Sequence, residues 1–249
     1  MWYKLPESNL YEGGRDGAKN SVRVFAGVNL SFMYGAHEQV TRDMRAFFAQ
    51  TGVPEKRVVL SRITHGLEVL IADPSRWNHA FDLPVSLPEG DGLYSEASGT
   101  FMMIKPADCL VVGMFNTATG QSALVHAGFI GLGNRILLKG LELMGDPANL
   151  QVHMGPCIQG DSCVLPQDYP LVGEGWERYT YESGNSEFPK GVRYADFAYD
   201  QLIGAGVPES GIVRDLADTY TDERYHSFFR SERQGFPQGR FGILAGILE

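Results

Sequence analysis

The chain has 249 residues, 43% of them hydrophobic and 11% aromatic, which is enough to bury a substantial core. A net charge of −9 without any basic block offers nothing to displace counterions from a nucleic acid or to dock on anionic lipid, so neither is expected as a partner. Three cysteines (Cys109, Cys157 and Cys163) do not make a disulfide framework. With no secretory leader and no run long enough to span a bilayer, a cytoplasmic protein is expected.

Residues 1–20 are polar and Gly-containing and read as a surface lead-in. SVRVFAGVNLSF (21–32) has strand composition. The period then changes: Val40, Met44, Phe47 and Phe48 share one helical face, and Gly52 is placed to end that helix. RVVLSRI (57–63), EVLIAD (68–73), TFMMIKP (100–106), LVVGMFN (110–116) and QSALVHA (121–127) are strands in succession. Phe129 to Met144 reads as a second helix, NLQVHMG as a further strand, 166–191 as loop, 192–206 as a third helix and RFGILAGIL as a closing strand. Strands outnumber helices and come in consecutive groups. That pattern predicts an α+β fold of layered mixed β-sheets covered by helices, in a single catalytic-type domain over 21–249. No heptad or long exposed apolar helix face stands out, so a monomer is expected.

Three short motifs place a metal-competent side chain at the end of an apolar strand beside a small residue: Thr64-His65-Gly66, Ala107-Asp108-Cys109 and His126-Ala127-Gly128. The small neighbours leave room for a ligand and let the backbone turn sharply. Two imidazoles and a thiolate form the donor set of an open zinc site, whose fourth position takes water or substrate. Spacing alone does not single these residues out, and taken one by one each reads better as a buried thiol or a satisfied strand-end histidine. Cys109 with His126 also reads as a nucleophile and its base. Asp108 reads as a group that orients a ligand, as an acid/base group, or as a turn cap. Cys157 and Cys163 read as buried structural thiols, His37 and His79 as solvated, and His226 as structural; His153 alternates along its strand and can face either way. Gly128 and the glycines after it open the second helix, where free amides attract an anion or simply allow close packing. Arg230, Arg233 and Arg240 lie close together near the C-terminus and suit phosphate or carboxylate, or an exposed basic loop.

In order and spacing, THG, ADC, HAG, GPCI (155–158) and the RxGxxxGR run ending at Arg240 resemble a known family. It has been labelled laccase-like multicopper polyphenol oxidoreductase, and also zinc-dependent purine nucleoside phosphorylase with adenosine deaminase side activity, and peptidoglycan-editing factor. The resemblance runs from about residue 21 to the end, with Asn29-Leu30 fitting its N-terminal part. It implies a layered α+β fold similar to the catalytic domain of the cytotoxic necrotising factor toxins. It also implies zinc held by His65, Cys109 and His126, and a nucleoside and phosphate as substrates. Catalytic candidates are then Cys109, His126 and Asp108, and substrate or phosphate candidates are Gly128, Arg233, Arg240 and Asn29.

The chain departs from the family where an anionic substrate would be touched. Trp-Arg after HAG is Phe129-Ile130, Tyr-Glu after GPCI becomes Cys163-Val164, and a late Arg-Arg-Asp becomes Glu232-Arg233-Gln234. Three functions follow: a zinc-dependent purine nucleoside phosphorylase, a Cys–His thiol hydrolase or amidase on a cell-wall precursor, or a diverged metal-binding relative without turnover. Copper is not expected, because six scattered histidines without an HxH pair cannot build a multicopper centre.

Overall fold

The computed structural model describes residues 2–4, 10–13, 20–25, 28–76 and 87–248. In chain order the strands are β1 (Trp2–Lys4), β2 (Leu10–Gly13), β3 (Asn20–Phe25), β4 (Val58–Leu60), β5 (Val69–Ile71), β6 (Gly92–Ser95), β7 (Phe101–Ile104) and β8 (Leu110–Asn116). They continue with β9 (Gln121–Ala127), β10 (Gln151–Met154), β11 (Val164–Leu165), β12 (Thr180–Glu182), β13 (Lys190–Val192), β14 (Ile212–Arg214) and β15 (Gly242–Ile247). The helices are α1 (His37–Thr51), α2 (Phe129–Gly133), α3 (Ile136–Met144), α4 (Tyr194–Gly204) and α5 (Phe228–Gln234).

Two mixed six-stranded sheets carry the fold, in the orders β1-β2-β3-β15-β7-β4 and β14-β10-β8-β9-β6-β5, with a small sheet β11-β13-β12 beside them. Strand alternation sorts the side chains into layers. Val58, Leu60, Phe101, Met103 and Leu244 meet Val40, Met44, Phe47 and Phe48 of α1 on the outer face of the first sheet. Val59, Met102, Ile104 and Ile243 point the other way and meet Val111, Phe115 and Leu124 of the second sheet. Leu110, Val112, Met114, Ala123 and Val125 face α3 and α4 on the far side. The result is helix, sheet, sheet, helix, and the α+β class read from the sequence holds.

Several elements follow the sequence closely. The helix from His37 ends where Gly52 turns left-handed at φ 68°, and β8 and β9 coincide with the predicted runs. Others differ. The second helix is broken: Arg135 adopts φ 63° between α2 and α3, which swings the chain into a new axis. Gly133, at the end of α2, lies so close to the Val172 carbonyl that a Cβ would sit 1.9 Å from that oxygen. Among the described residues of the run 21–32, only those of β3 are strand. The stretch 166–191 contains β12 and the start of β13. Two short strands lie within the lead-in: β2 pairs onto β3, and β1 pairs onto β2. The rest of the lead-in, at 1, 5–9 and 14–19, and His79 lie outside the described residues.

Candidate active site

The three strand-end motifs converge. His65 precedes β5, Cys109 precedes β8, and His126 is the penultimate residue of β9, directly paired with Val111. Alternation that sends Ala123, Val125 and Ala127 to the helices sends Leu124 and His126 toward the seam between the sheets. There the donor atoms of His65, Cys109 and His126 lie within 4.8 Å of one another, and the two imidazoles meet edge-on at 5.1 Å. His126 is buried, Cys109 half-buried and His65 exposed, so the group opens to one side.

Asp91 holds this group together. One carboxylate oxygen accepts the N–H of Thr64 (3.1 Å) and Gly66 (2.8 Å) and the Thr64 hydroxyl (2.9 Å). The other accepts the His65 N–H (2.9 Å) and Nδ1–H of His126 (2.9 Å), while the Asp91 carbonyl takes the His126 N–H (2.7 Å). The same side chain therefore fixes the THG loop and leaves Nε2 of His126 as the free donor atom. It also stabilises the left-handed backbone of His65, at φ 58°. Burial would raise the Asp91 pKa, but the His126 ring, the Gly66 N–H and the Thr64 hydroxyl hold it well below the usual carboxylate range. Sequence reasoning missed Asp91. Its signal was an acid between two glycines immediately before a strand.

Cys109 and His126 share a charge. Burial opposes ionisation of the thiol, yet the two imidazoles more than reverse that and lower its pKa. Burial likewise opposes protonation of His126, and the Cys109 thiolate and Asp91 carboxylate outweigh it. The pair favours thiolate with imidazolium when no metal is bound.

Asp108 has φ 76° and is buried. Its carboxylate accepts the Thr219 hydroxyl (2.7 Å) and the Phe229 N–H (2.7 Å), and its carbonyl accepts the Ile158 N–H (2.9 Å). It ties the Cys109 turn to the C-terminal segment, and burial raises its pKa. Tyr194 clamps the base of the site by donating to the Ala127 carbonyl and accepting the Leu110 N–H (3.1 Å).

Gly128 supplies the space. A Cβ there would stand 3.2 Å from His126 Cε1, 3.2 Å from His65 Cδ2 and 3.5 Å from Cys109 Sγ. The group opens into a cavity of about 400 Å³, with walls that include Ile63, Leu87, Pro106, Phe129, Tyr169 and Phe229. Phe129 packs among Tyr169, Trp176 and Tyr194, which makes this wall aromatic.

The remaining candidates separate. Arg240 lines the cavity, with its guanidinium on the Tyr34 ring (4.6 Å) and donating to the Tyr34 hydroxyl (3.0 Å). Asn29 supports it by accepting the Arg240 N–H (3.0 Å). Arg233 is not among the residues lining the cavity; it stacks on Phe188 (4.2 Å) and Phe229 (4.6 Å) and donates to the carbonyls of Ser162 and Val164. Cys157 and Cys163 are buried in the core, where burial raises both thiol pKa values. His153 is buried edge-on to Phe115 at 5.4 Å. Among the described residues, His65, Cys109 and His126 form the one group of histidine, cysteine or acid side chains placed to hold a metal ion, and no helix is long and apolar enough to cross a membrane.

Two sheets with a His-Cys-His group at their seam, open to a mostly apolar cavity, define a protein that can hold a metal ion beside a small molecule. Residues 14–247 match the family described as multi-copper polyphenol oxidoreductase laccase, and the chain belongs to that family. It is 31% identical over 236 residues to the purine nucleoside phosphorylase YfiH of Escherichia coli, covering 88% of this chain and 90% of that one. It is 26% identical over 245 residues to the purine nucleoside phosphorylase YlmD of Geobacillus stearothermophilus, covering 90% and 85%. A protein named adenosine deaminase, from an unknown prokaryotic organism, is 26% identical over 240 residues, covering 90% and 88%. The crystal structure of YlmD from Geobacillus stearothermophilus superposes with a TM-score of 0.80 at 21% identity, over 100% of this chain and 99% of that one. That of a Bacillus licheniformis hypothetical protein YfiH gives 0.82 at 16% identity, over 98% of each.

Proposed function

We propose that the protein is a zinc-dependent purine nucleoside phosphorylase, with adenosine deamination as a side activity. The observation that carries this reading is the convergence of His65, Cys109 and His126 around the space left by Gly128. Two nitrogens and a sulfur suit zinc, and three protein donors leave a position open. A multicopper centre needs further histidine clusters, which the described residues do not contain. Zinc bound here would act as a Lewis acid and bring the pKa of a bound water to about 7.

The chain's own residues supply the rest. Asp91 keeps His126 in the tautomer that presents Nε2. Asp108 acts as a positioning residue for Cys109 through Thr219 and Phe229. The aromatic wall of Phe129 and Tyr169 takes a flat purine. Phosphate held beside it attacks ribose C1′, the glycosidic bond breaks, and the base leaves with the bonding pair and takes up a proton. The products are free base and ribose 1-phosphate.

A second reading has its own support. Cys109, His126 and Asp91 are arranged as thiol, imidazole and orienting carboxylate, the layout of a cysteine hydrolase. One experiment separates the two. Zinc-loaded protein is incubated with adenosine, with and without phosphate, and the products are separated. Adenine formed only with phosphate is the expected result, with inosine as a minor product independent of phosphate. No product from zinc-loaded protein would sink the phosphorylase reading, and selective alkylation of Cys109 in the zinc-free chain would then favour the hydrolase.

A further inference from the structure

The cavity has a second wall, built by the first sheet. β4 and β7 run parallel, with Leu60 opposite Met103, so Ser61 and Lys105 follow the same ends of two neighbouring strands. β15 runs antiparallel to β7, and the Phe241 N–H bonds the Pro106 carbonyl (3.2 Å), which brings Arg240 to the same edge. Ser31, Ser61, Arg62, Lys105 and Arg240 all line the cavity there.

The charges on this wall are not equivalent. Arg62 is paired with Glu89, and Arg240 is engaged by Tyr34 and the Gly239 carbonyl. Among the described residues Lys105 has no ion pair and no hydrogen bond; its nearest aromatic face is Phe32, with Nζ 5.8 Å from the ring centroid. The Ser61 hydroxyl, on a residue only 6% exposed, also lacks a hydrogen-bond partner among the described residues. The carboxylate on the cavity lining, that of Asp108, has both oxygens occupied. A buried hydroxyl without a hydrogen bond, and an ammonium with neither hydrogen bond nor ion pair, are costly on a cavity wall unless a ligand completes them.

We infer that Lys105, with Ser61 and Arg240, forms the oxyanion subsite of this cavity and takes phosphate or a phosphate-like tetrahedral anion. The inference rests on the phosphorylase reading for the role of the anion, but not for its binding. Burial lowers the Lys105 pKa to about 8, which still leaves the amine charged at neutral pH. An ammonium is a point charge with three donors, so it holds a tetrahedral anion without the bidentate geometry of an arginine.

The test is a calorimetric titration of inorganic phosphate into the zinc-loaded full chain, wild type and Lys105→Met, with Lys105→Arg as the conservative variant. Zinc content and thermal midpoint are measured on each to exclude misfolding. Lys105→Met is expected to weaken phosphate binding about tenfold or more, Lys105→Arg to restore most of it, and both to keep zinc. Phosphate affinity unchanged in Lys105→Met, or no phosphate binding by wild type, would overturn the subsite. The two readings fail separately. Lys105-dependent phosphate binding without adenine release keeps the subsite and removes the phosphorylase. Adenine release with an unchanged phosphate KM in Lys105→Met does the opposite.

Discussion

The cavity wall that carries His65, Cys109 and His126 is tied at nearly every polar atom, whereas the wall that carries Ser61 and Lys105 is left open. On the first, Asp91 alone collects four backbone or hydroxyl donors and one imidazole, and Asp108 and Tyr194 brace the turns on either side of β8. On the second, a hydroxyl and an ammonium await partners. The contrast teaches that the two walls answer to different demands. A metal-competent group works only if its donors are fixed to a fraction of an ångström, so its supports saturate. A wall that receives a ligand must keep polar groups free for it.

The strongest way to break this contrast is to untie the first wall. Asp91→Ala strips the THG loop of its acceptor and leaves His126 Nδ1–H buried without a partner. The expected loss is about 3–5 kcal/mol of folding stability and about 10–100-fold in metal affinity. Denaturant unfolding and competition with a chromogenic chelator measure the two. An Asp91→Ala protein of wild-type stability that retains its metal would mean the carboxylate is not the organiser described here.

A smaller, local change sharpens the same point. Gly128→Ala keeps an ordinary backbone conformation, since Gly128 has φ −66°, but places a methyl against all three donors. Folding stability should shift by no more than about 1–2 kcal/mol, while metal affinity falls about tenfold as the donors are pushed apart. Equal effects on stability and metal would make Gly128 a packing glycine.

Much of the metal wall was legible from the sequence because each donor sits at the end of an apolar strand next to a small residue. β8 and β9 are long and continuous, and their register sets the Cys109 turn beside His126. Asp91 escaped because β6 is four residues long and follows a loop whose composition gives no period. Lys105 escaped because a lysine closing the run FMMIK reads as the polar end of a strand; only the pairing of β7 with β4 and β15 turns it into a cavity. The arginines near the C-terminus read as one cluster, yet α5 separates them. Ser227 accepts the Arg230 N–H (3.0 Å) to start that helix and Gly235 ends it at φ 71°, so Arg233 turns to Phe188 and Arg240 to the cavity. A serine cap followed by a terminal glycine was the overlooked signal.

The most direct test of the central claim is X-ray absorption at the zinc edge on protein purified without added metal, alongside elemental analysis of wild type and Cys109→Ser. The account predicts one zinc per chain with two nitrogen donors and one sulfur donor from the protein, and loss of the sulfur scatterer in Cys109→Ser. Metal-free protein that takes up no zinc, or zinc whose shell contains no sulfur, would contradict it.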